Sequence, residues 1–187
     1  MEDSRKGLVI VDIQNDYFQG GRNPLSNQES AAVNALKVLN EFRKAKLPVF
    51  IIQHINEDPA SRFFIKNTEG VKLHEGLEPR EGEQHIVKHV PSSFVGTTLL
   101  EELKKENISE VVVIGSMSNM CIDSTARDSV HLGFKTTVIH DCCAAMDLCF
   151  GETKIPSPTV HATFMAALAM LAQVTDTETF LKTIQKC

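Results

Sequence analysis

The feature of this sequence that most constrains its fold is a series of short, uninterrupted apolar runs. Five segments are rich in β-branched residues and show no alternation of polar and apolar positions; they are residues 8–11, 49–52, 86–87, 111–114 and 136–139. Strands that are covered on both faces of a sheet have this composition. We therefore predict a largely parallel sheet with both faces buried.

Helical patterns lie between most of these runs. Residues 33–42 and 99–103 carry apolar side chains at helical spacing, and Ser157-Pro158 is typical of the first turn of a helix that we extend to about Gln173. Parallel strands require crossovers of this kind, which are right-handed almost without exception. The predicted fold is an α/β, doubly wound (Rossmann-like) and mostly parallel sheet with helices on both faces.

Length and charge limit the number of domains and the class of partner. At 187 residues the chain is long enough for one sizeable core and too short for two, so we expect one domain over residues 1–187. The net charge of -5 and the lack of a dense Lys/Arg cluster argue against nucleic acid. No stretch has the length of a signal-peptide core or a membrane span. We expect a cytoplasmic protein that acts on a small molecule and does not bind a membrane.

The cysteines favour a reducing compartment, since there are 5 of them and their spacing matches no disulfide framework. Cys142, Cys143 and Cys149 lie close to His140 in the sequence, which raises the alternative of a zinc site. Neither a Cys-x-x-Cys pair nor a paired His motif is present. We therefore expect mostly buried free thiols, no metal and no other cofactor.

Three chemically active residues follow predicted strands, directly or after one short turn. They are Asp12, Lys88 and Cys121. In a doubly wound sheet, ligands bind beyond the carboxyl ends of the strands. A carboxylate there can take a proton from a thiol, and a lysine ammonium favours both the carboxylate and the thiolate. Taken singly, Asp12 is also typical of a turn and Lys88 of a solvated surface; their shared location favours a site.

The segment around Cys121 predicts a thiol at the beginning of a helix. A turn at residues 115–116 leads to a helix that Ser118 caps and that runs to Leu132. In the first helical turn, unpaired N–H groups and the helix dipole lower the pKa of a thiol and can hold an oxyanion. The alternative is that Cys121 only fills a small apolar space, as free cysteines usually do.

Three ordered segments resemble the cysteine hydrolases of the isochorismatase-like superfamily, over roughly residues 7–175. Residues 11–18 (Val-Asp-Ile-Gln-Asn-Asp-Tyr-Phe) are similar to the family's opening D-x-Q-x-D-F element. Residues 87–99 are similar to its lysine element, and residues 115–133 to its nucleophile segment. Three elements in order are far more specific than any one of them.

The resemblance implies a triad of Asp12, Lys88 and Cys121, in which the thiolate attacks a carbonyl or similar carbon and water later releases a covalent thioester. It also implies a cis peptide bond between Ser116 and Met117, which helps to aim the N–H groups of Met117 and Cys121 at the oxyanion. Members specialised for isochorismate tend to lack the nucleophilic cysteine. Cys121 therefore favours amide or ureide chemistry.

The segment after the second predicted strand departs from the members of the family that hydrolyse nicotinamide. Those members carry a metal-binding Asp-x-His arrangement, whereas residues 52–56 read Ile-Gln-His-Ile-Asn and lack the aspartate. This difference argues against that metal site and that substrate. It leaves His54 as a residue of the pocket wall or of the core.

The remaining pocket residues are expected near these elements. We assign Gln14, Phe18, His54, Phe94 and Asn119 to the substrate pocket, with core packing as the alternative for the two phenylalanines. The charged connection over residues 56–85 is long enough to form a lid over the pocket or onto a neighbouring subunit. The alternative is that this connection is a surface excursion.

The leading hypothesis is a cysteine-dependent hydrolase of a small amide or ureide C–N bond. One alternative is a vinyl-ether hydrolase of the isochorismatase type, whose activity survives the loss of Cys121. Another is a redox or binding protein with a reactive thiol, whose function survives Asp12→Asn. The sequence names neither the acyl group nor the leaving amine. The apolar helix after Pro158 and the family likeness favour a homo-oligomer.

Overall fold

The computed structural model describes residues 5–184. In chain order the strands are β1 (Lys6–Val11), β2 (Val49–His54), β3 (Gln84–Lys88), β4 (Glu110–Ser116), β5 (Lys135–Ala144), β6 (Leu148–Phe150), β7 (Thr153–Ile155) and β8 (Gln173–Thr175). The helices are α1 (Gln28–Lys44), α2 (Leu99–Lys105), α3 (Asp123–His131), α4 (Ser157–Leu168) and α5 (Thr177–Ile184). A short 3-10 turn (Asn15–Tyr17) follows β1, and a π-helical turn (Ser118–Ile122) precedes α3.

The main sheet has six strands in the order β3-β2-β1-β4-β5-β8, and every neighbouring pair is parallel. The chain first builds outward from β1 to β3, then returns to place β4 on the other side of β1. The strand order therefore reverses between β1 and β4, which is where a doubly wound sheet binds its ligand. The predicted fold class is confirmed.

Both faces of the sheet are buried, and β1 shows how one strand supplies both cores. Leu8 and Ile10 belong to the core under α1 and α5, whereas Val9 and Val11 belong to the core under α2, α3 and α4. All four side chains are at most 1% exposed. Because successive side chains of a strand point to opposite faces, a strand with helices on both sides reads as a continuous apolar run.

Two helices differ in detail from the sequence prediction. α4 ends at Leu168 rather than near Gln173, and Gln173 instead begins β8, which pairs with β5. Alanine and methionine favour helix throughout this segment, so the pattern does not mark its end. In α1, Val33 is 54% exposed, and the buried face carries Ala35, Val38, Leu39 and Phe42 instead.

No helix within residues 5–184 combines the length and the apolar character that crossing a membrane requires.

Gly115 allows β4 to pass close to β1 immediately before the nucleophile segment. Its φ is +125°, and a Cβ built there would lie 2.0 Å from the carbonyl oxygen of Val11. Gly133 also has positive φ, +92°, but a Cβ there would meet open space. We expect Gly133→Ala to cost about 1–2 kcal/mol, the usual penalty of a left-handed backbone for an L-residue.

We expect Gly115→Ala to reduce the free energy of unfolding by clearly more than Gly133→Ala, because the backbone of β1 or β4 must move. Urea denaturation of both variants beside the wild type measures the difference. Equal losses in the two variants would show that the close approach of β4 to Val11 is not needed for stability.

Candidate active site

The three candidate catalytic residues meet at the edge where the strand order reverses. Asp12 follows β1, Cys121 lies in the π-helical turn after β4, and Lys88 is the last residue of β3. β2 lies between β3 and β1. The long side chain of Lys88 therefore passes the carboxyl end of β2 to reach Asp12. The exposed fractions of Asp12, Lys88 and Cys121 are 0%, 1% and 5%.

The ammonium of Lys88 joins the other two side chains. Its Nζ lies 2.7 Å from Asp12 Oδ2 and donates a hydrogen bond of 3.2 Å to Cys121 Sγ. The carbonyl oxygens of Val90 and Pro91 lie 3.1 and 3.2 Å from Nζ and share its three hydrogens with the other acceptors around it. Burial lowers the pKa of Lys88, but the negative charge of Asp12 and the contacts with Asp12 and Cys121 outweigh it, and the net direction is upward. Lys88 is therefore a stable buried cation.

The segment that carries Cys121 begins differently from the prediction. Ser118 does not cap a regular α-helix; residues 118–122 form one wide π-helical turn, and α3 starts only at Asp123. The N–H groups of Met120 and Ile122 both donate to the carbonyl oxygen of Met117, each at 3.1 Å. Single π-helical turns are frequent at functional sites, where they re-aim a side chain. Apolar periodicity gives no sign of such a turn.

The pKa of Cys121 is raised, which corrects the expectation of a lowered value. Burial is the largest cause, and the negative charge of Asp12 adds to it, while Lys88 opposes both. Removing water from around the thiolate thus outweighs the favourable groups that surround it. In the resting site the thiol keeps its proton, next to a carboxylate that can accept it.

Asp12 and Lys88 should have opposite effects on the reactivity of this thiol. Asp12→Asn removes a negative charge and leaves Lys88 in place, so the pKa of Cys121 falls and its alkylation by iodoacetamide at pH 7.5 becomes faster. Lys88→Met removes the cation, so the pKa rises further and alkylation becomes slower. The rates are measured by intact-protein mass spectrometry.

Each of these two substitutions leaves an uncompensated buried charge, which costs about 3–5 kcal/mol of stability. Circular dichroism must therefore confirm that both variants are folded at the temperature of the alkylation experiment. Slower alkylation in folded Asp12→Asn would contradict the assigned effect of Asp12 on the thiol.

His54 is a fourth member of this cluster. Its Nδ1 lies 3.1 Å from Lys88 Nζ, and its Nε2 lies 3.3 Å from Asn56 Oδ1. Because an ammonium only donates hydrogen bonds, Nδ1 must accept, which places the hydrogen of the neutral ring on Nε2. Burial lowers the pKa of His54, the charge of Asp12 opposes this, and the charge of Lys88 acts in the same direction as burial. His54 is thus a neutral acceptor that helps to hold Lys88.

Within residues 5–184, one group of side chains has the geometry of a metal site. Asp12, His54 and Cys121 each offer a ligand atom, and these atoms lie within 4.8 Å of one another. The ammonium of Lys88 contacts the carboxylate, imidazole and sulfur atoms that a metal would need. These residues do not fit a resident metal, since a second cation among them would be repelled by Lys88.

Gln14 holds the backbone near the site, which differs from its predicted place in the pocket wall. Its Oε1 accepts the N–H of His54 at 2.8 Å, and its Nε2 donates to the carbonyl oxygens of His54 and Val71 at 2.9 and 2.7 Å. The side chain is fully buried. Its hydrogen-bonding groups are therefore used to fix the end of β2 beside the end of β1.

The other predicted pocket residues have different surroundings. Asn119 is 8% exposed, and its buried Oδ1 has no hydrogen-bond partner among the described residues. This leaves Asn119 as a pocket candidate. Phe18 stacks on His74 with ring centroids 3.5 Å apart, and both rings line a cavity of about 530 Å³. Phe94 stacks on Phe134, and both pack against the core under α2, α3 and α4. For Phe94, the core alternative fits better than the pocket wall.

Sequence reasoning missed Tyr17. Its ring is 1% exposed and packs on Phe64 and Phe63, with centroid distances of 4.6 and 5.6 Å. Burial raises the pKa of Tyr17, and the nearby Cys121, Asp12 and Asp16 raise it further. A signal was present, because Tyr17 stands where the D-x-Q-x-D-F element has phenylalanine.

The connection between β2 and β3 is hydrogen-bonded to the turn that follows β1, next to the site. The carboxylate of Asp16 accepts the N–H groups of Phe64 at 2.6 Å and Arg22 at 3.1 Å. Backbone bonds add to this, including those from Asn15 N to Lys72 O and from Asp16 N to Gly70 O. The first part of the connection therefore packs against the turn after β1 and places Phe63 and Phe64 beside Tyr17.

The peptide bond between Ser116 and Met117 is cis. The hydroxyl of Ser116 donates to Gln28 Oε1 at 2.7 Å, and both side chains are buried. Gln28 was not among the predicted site residues. It ties the first turn of α1 to the segment that leads to Cys121.

Comparison with known proteins identifies the family of this chain. The family model described as "Isochorismatase domain" matches residues 6–179. The chain is 48% identical over 176 residues to the isochorismatase family protein YddQ of Bacillus subtilis (strain 168), covering 94% of this chain and 98% of that protein. A solved isochorismatase-family hydrolase from Oleispira antarctica superposes with a TM-score of 0.93 at 36% identity, covering 97% and 98% of the two chains.

The chain belongs to the isochorismatase family, and the resemblance seen in its sequence is confirmed. Other members of this family are hydrolases that act on amide bonds. They include Nicotinamidase 3 of Arabidopsis thaliana, which is 28% identical over 75% of this chain and 73% of its own length. N-carbamoylsarcosine amidase from Thermoplasma acidophilum is 26% identical, with a TM-score of 0.75 over 92% of this chain and 96% of its own.

Proposed function

We propose that this chain is a cysteine-dependent hydrolase of a small amide or ureide C–N bond. The observation that carries the proposal is the buried contact of one ammonium, that of Lys88, with both Asp12 Oδ2 and Cys121 Sγ. This contact brings a nucleophile, a proton acceptor and a fixed positive charge together at the ligand-binding edge of the sheet.

The first half of the proposed reaction forms a thioester. Cys121 Sγ attacks the carbonyl carbon, and its proton passes to Asp12 as the S–C bond forms, because a free thiolate is unfavourable in this buried site. The oxyanion accepts hydrogen bonds from the N–H groups of Met117 and Cys121. The C–N bond then breaks, and Asp12 returns the proton to the departing nitrogen.

The second half hydrolyses the thioester. Asp12, again a carboxylate, takes a proton from water while the water oxygen attacks the carbonyl carbon. The S–C bond breaks, the carboxylic or carbamic acid leaves, and Asp12 returns the proton to sulfur. Throughout both halves, Lys88 stabilises whichever of Asp12 and Cys121 carries the negative charge.

The family relatives support the bond type, and this site argues for the cysteine route. Of the amide hydrolases named above, Nicotinamidase 3 aligns with 75% of this chain, and N-carbamoylsarcosine amidase shares its fold over 92%. A vinyl-ether hydrolase does not need the thiol, and a redox protein does not need a carboxylate placed to accept its proton. Asp12 and Cys121 joined through Lys88 favour acyl transfer over both alternatives.

We expect Cys121→Ala to abolish turnover while the protein stays folded, because no other group can form the acyl intermediate. Wild type and variant are incubated with a panel of small amides, ureides and nicotinamide, and products and added acyl mass are followed by mass spectrometry. Cys149→Ala is the matched control, since Cys149 is an exposed thiol outside the site.

The same panel separates the proposal from its alternatives. For this purpose an isochorismate-like vinyl ether is added to the panel. Hydrolysis of this vinyl ether that survives Cys121→Ala would replace the proposal with vinyl-ether hydrolysis. A thiol that alkylates rapidly but acylates with no amide, with function retained in Asp12→Asn, would point to a redox or binding protein.

We also propose that the enzyme is a cytoplasmic homo-oligomer. Within the single chain, Met170 just after α4 is 88% exposed and Phe150 on the β6–β7 hairpin is 84% exposed. Burial of such side chains between subunits is favourable by roughly 1.5–3 kcal/mol each. Sedimentation equilibrium should show a dimer or larger assembly that Met170→Lys weakens; a monomer at micromolar concentration would contradict this.

A further inference from the structure

The side chain of Ser118 links the nucleophile turn to two other elements. Ser118 is the first residue of the π-helical turn and is fully buried. Its hydroxyl donates to the carbonyl oxygen of Ala144 at 3.1 Å, and His161 Nδ1 lies 2.8 Å from the same oxygen atom, Oγ. Ala144 belongs to the end of β5, opposite Ser116 in the sheet register, and His161 belongs to α4.

The chemistry of these groups fixes the direction of both bonds. A hydroxyl carries one hydrogen, and a carbonyl oxygen only accepts. Both bonds are made at once only when Ser118 donates to Ala144 and His161 donates from Nδ1 to Ser118. His161 therefore carries a hydrogen on Nδ1, which is true of one neutral tautomer and of the protonated ring.

His161 reaches this buried hydroxyl from an open cavity. The cavity has a volume of about 310 Å³ and is lined by residues of α1, β5 and α4, with His140 and Asp141 among them. Burial lowers the pKa of His161, and the nearby His140 adds to the effect. The catalytic cluster around Lys88 does not line this cavity. His161 therefore contacts the nucleophile turn from outside that cluster.

We propose that His161 is a positioning residue of this enzyme, which acts through Ser118 to hold the nucleophile turn against β5. The N–H groups of Met120 and Ile122 bond back to Met117 within the same segment, so it is the Ser118 side chain that hydrogen-bonds the beginning of the turn to β5 and α4. With the His161–Ser118 bond in place, Cys121 Sγ stays beside Lys88 Nζ. Without it, the wide turn can relax and the sulfur moves away from its partners.

The inference rests on the proposed function only where turnover is the readout. His161→Leu removes the Nδ1 donor, Ser118→Ala removes the hydroxyl, and His161→Asn keeps an N–H at nearly the position of Nδ1. His140→Asn is the matched control, because His140 lines the same cavity and does not bond Ser118. For each protein, kcat, KM, the rate of Cys121 alkylation and the melting temperature are measured.

We expect His161→Leu and Ser118→Ala each to lower kcat about 10-fold with little change in KM, since a small misplacement of a reacting group is costly. Their double variant should be no worse than Ser118→Ala alone, because loss of the Ser118 hydroxyl already breaks the bond to His161. The alkylation rate of Cys121 should change in both, and His161→Asn should restore wild-type values of kcat and alkylation.

Several results would overturn the inference. It fails if His161→Leu keeps wild-type kcat and alkylation, or if His161→Asn is as impaired as His161→Leu. A shifted limb in the pH profile of kcat for His161→Asn would mean that His161 transfers protons rather than positions the turn. If His161→Leu does not fold, Ser118→Ala decides, and unchanged kcat and alkylation there would refute the linkage.

Failure of the proposed function gives a different result. If wild type hydrolyses no compound of the panel, the alkylation rates of the same variants still test the linkage between His161 and Cys121. Unequal alkylation in wild type and His161→Leu, restored in His161→Asn, would support the positioning role whatever the substrate.

Discussion

The site depends on one buried cation. Lys88 Nζ contacts a carboxylate oxygen, a thiol sulfur and an imidazole nitrogen, and two backbone carbonyls complete its surroundings. A charge removed from water is tolerated only when it is paired and hydrogen-bonded. The residues that hold these partners in position are therefore needed for the site as much as the partners themselves. Gln14, which fixes the end of β2 beside β1, is an example.

Most of the fold could be predicted from the sequence, because a strand that is buried on both faces is a continuous apolar run. The runs that became β1, β2, β4 and β5 are long enough to recognise, and their carboxyl ends place Asp12 and Cys121 near one another without further information. β8 has three residues and no pattern of its own, so only its pairing with β5 defines it. The place of Lys88 beside the other two residues came from the family likeness alone.

The rest of the site could not be predicted, because it depends on three-dimensional surroundings rather than on local pattern. The pKa of Cys121 follows from how completely water is excluded, and a helix-dipole argument applied to the sequence gives the wrong direction. The π-helical turn has no periodicity that separates it from an α-helix. His161 lies forty residues from Cys121 in the chain and meets the nucleophile turn only after α4 has packed.

The closed surroundings of Asp12, Lys88 and Cys121 also limit how charge can move in the proposed reaction. In the proposed reaction the proton of Cys121 passes to Asp12; one anion is then replaced by another and Lys88 remains positive, so the total charge of the enclosed cluster does not change. No ion has to enter from solvent to compensate, and the strong interactions of a water-poor interior act at every step. Under the proposed reaction, only the substrate and one water molecule have to enter the site, and no counter-ion has to follow them.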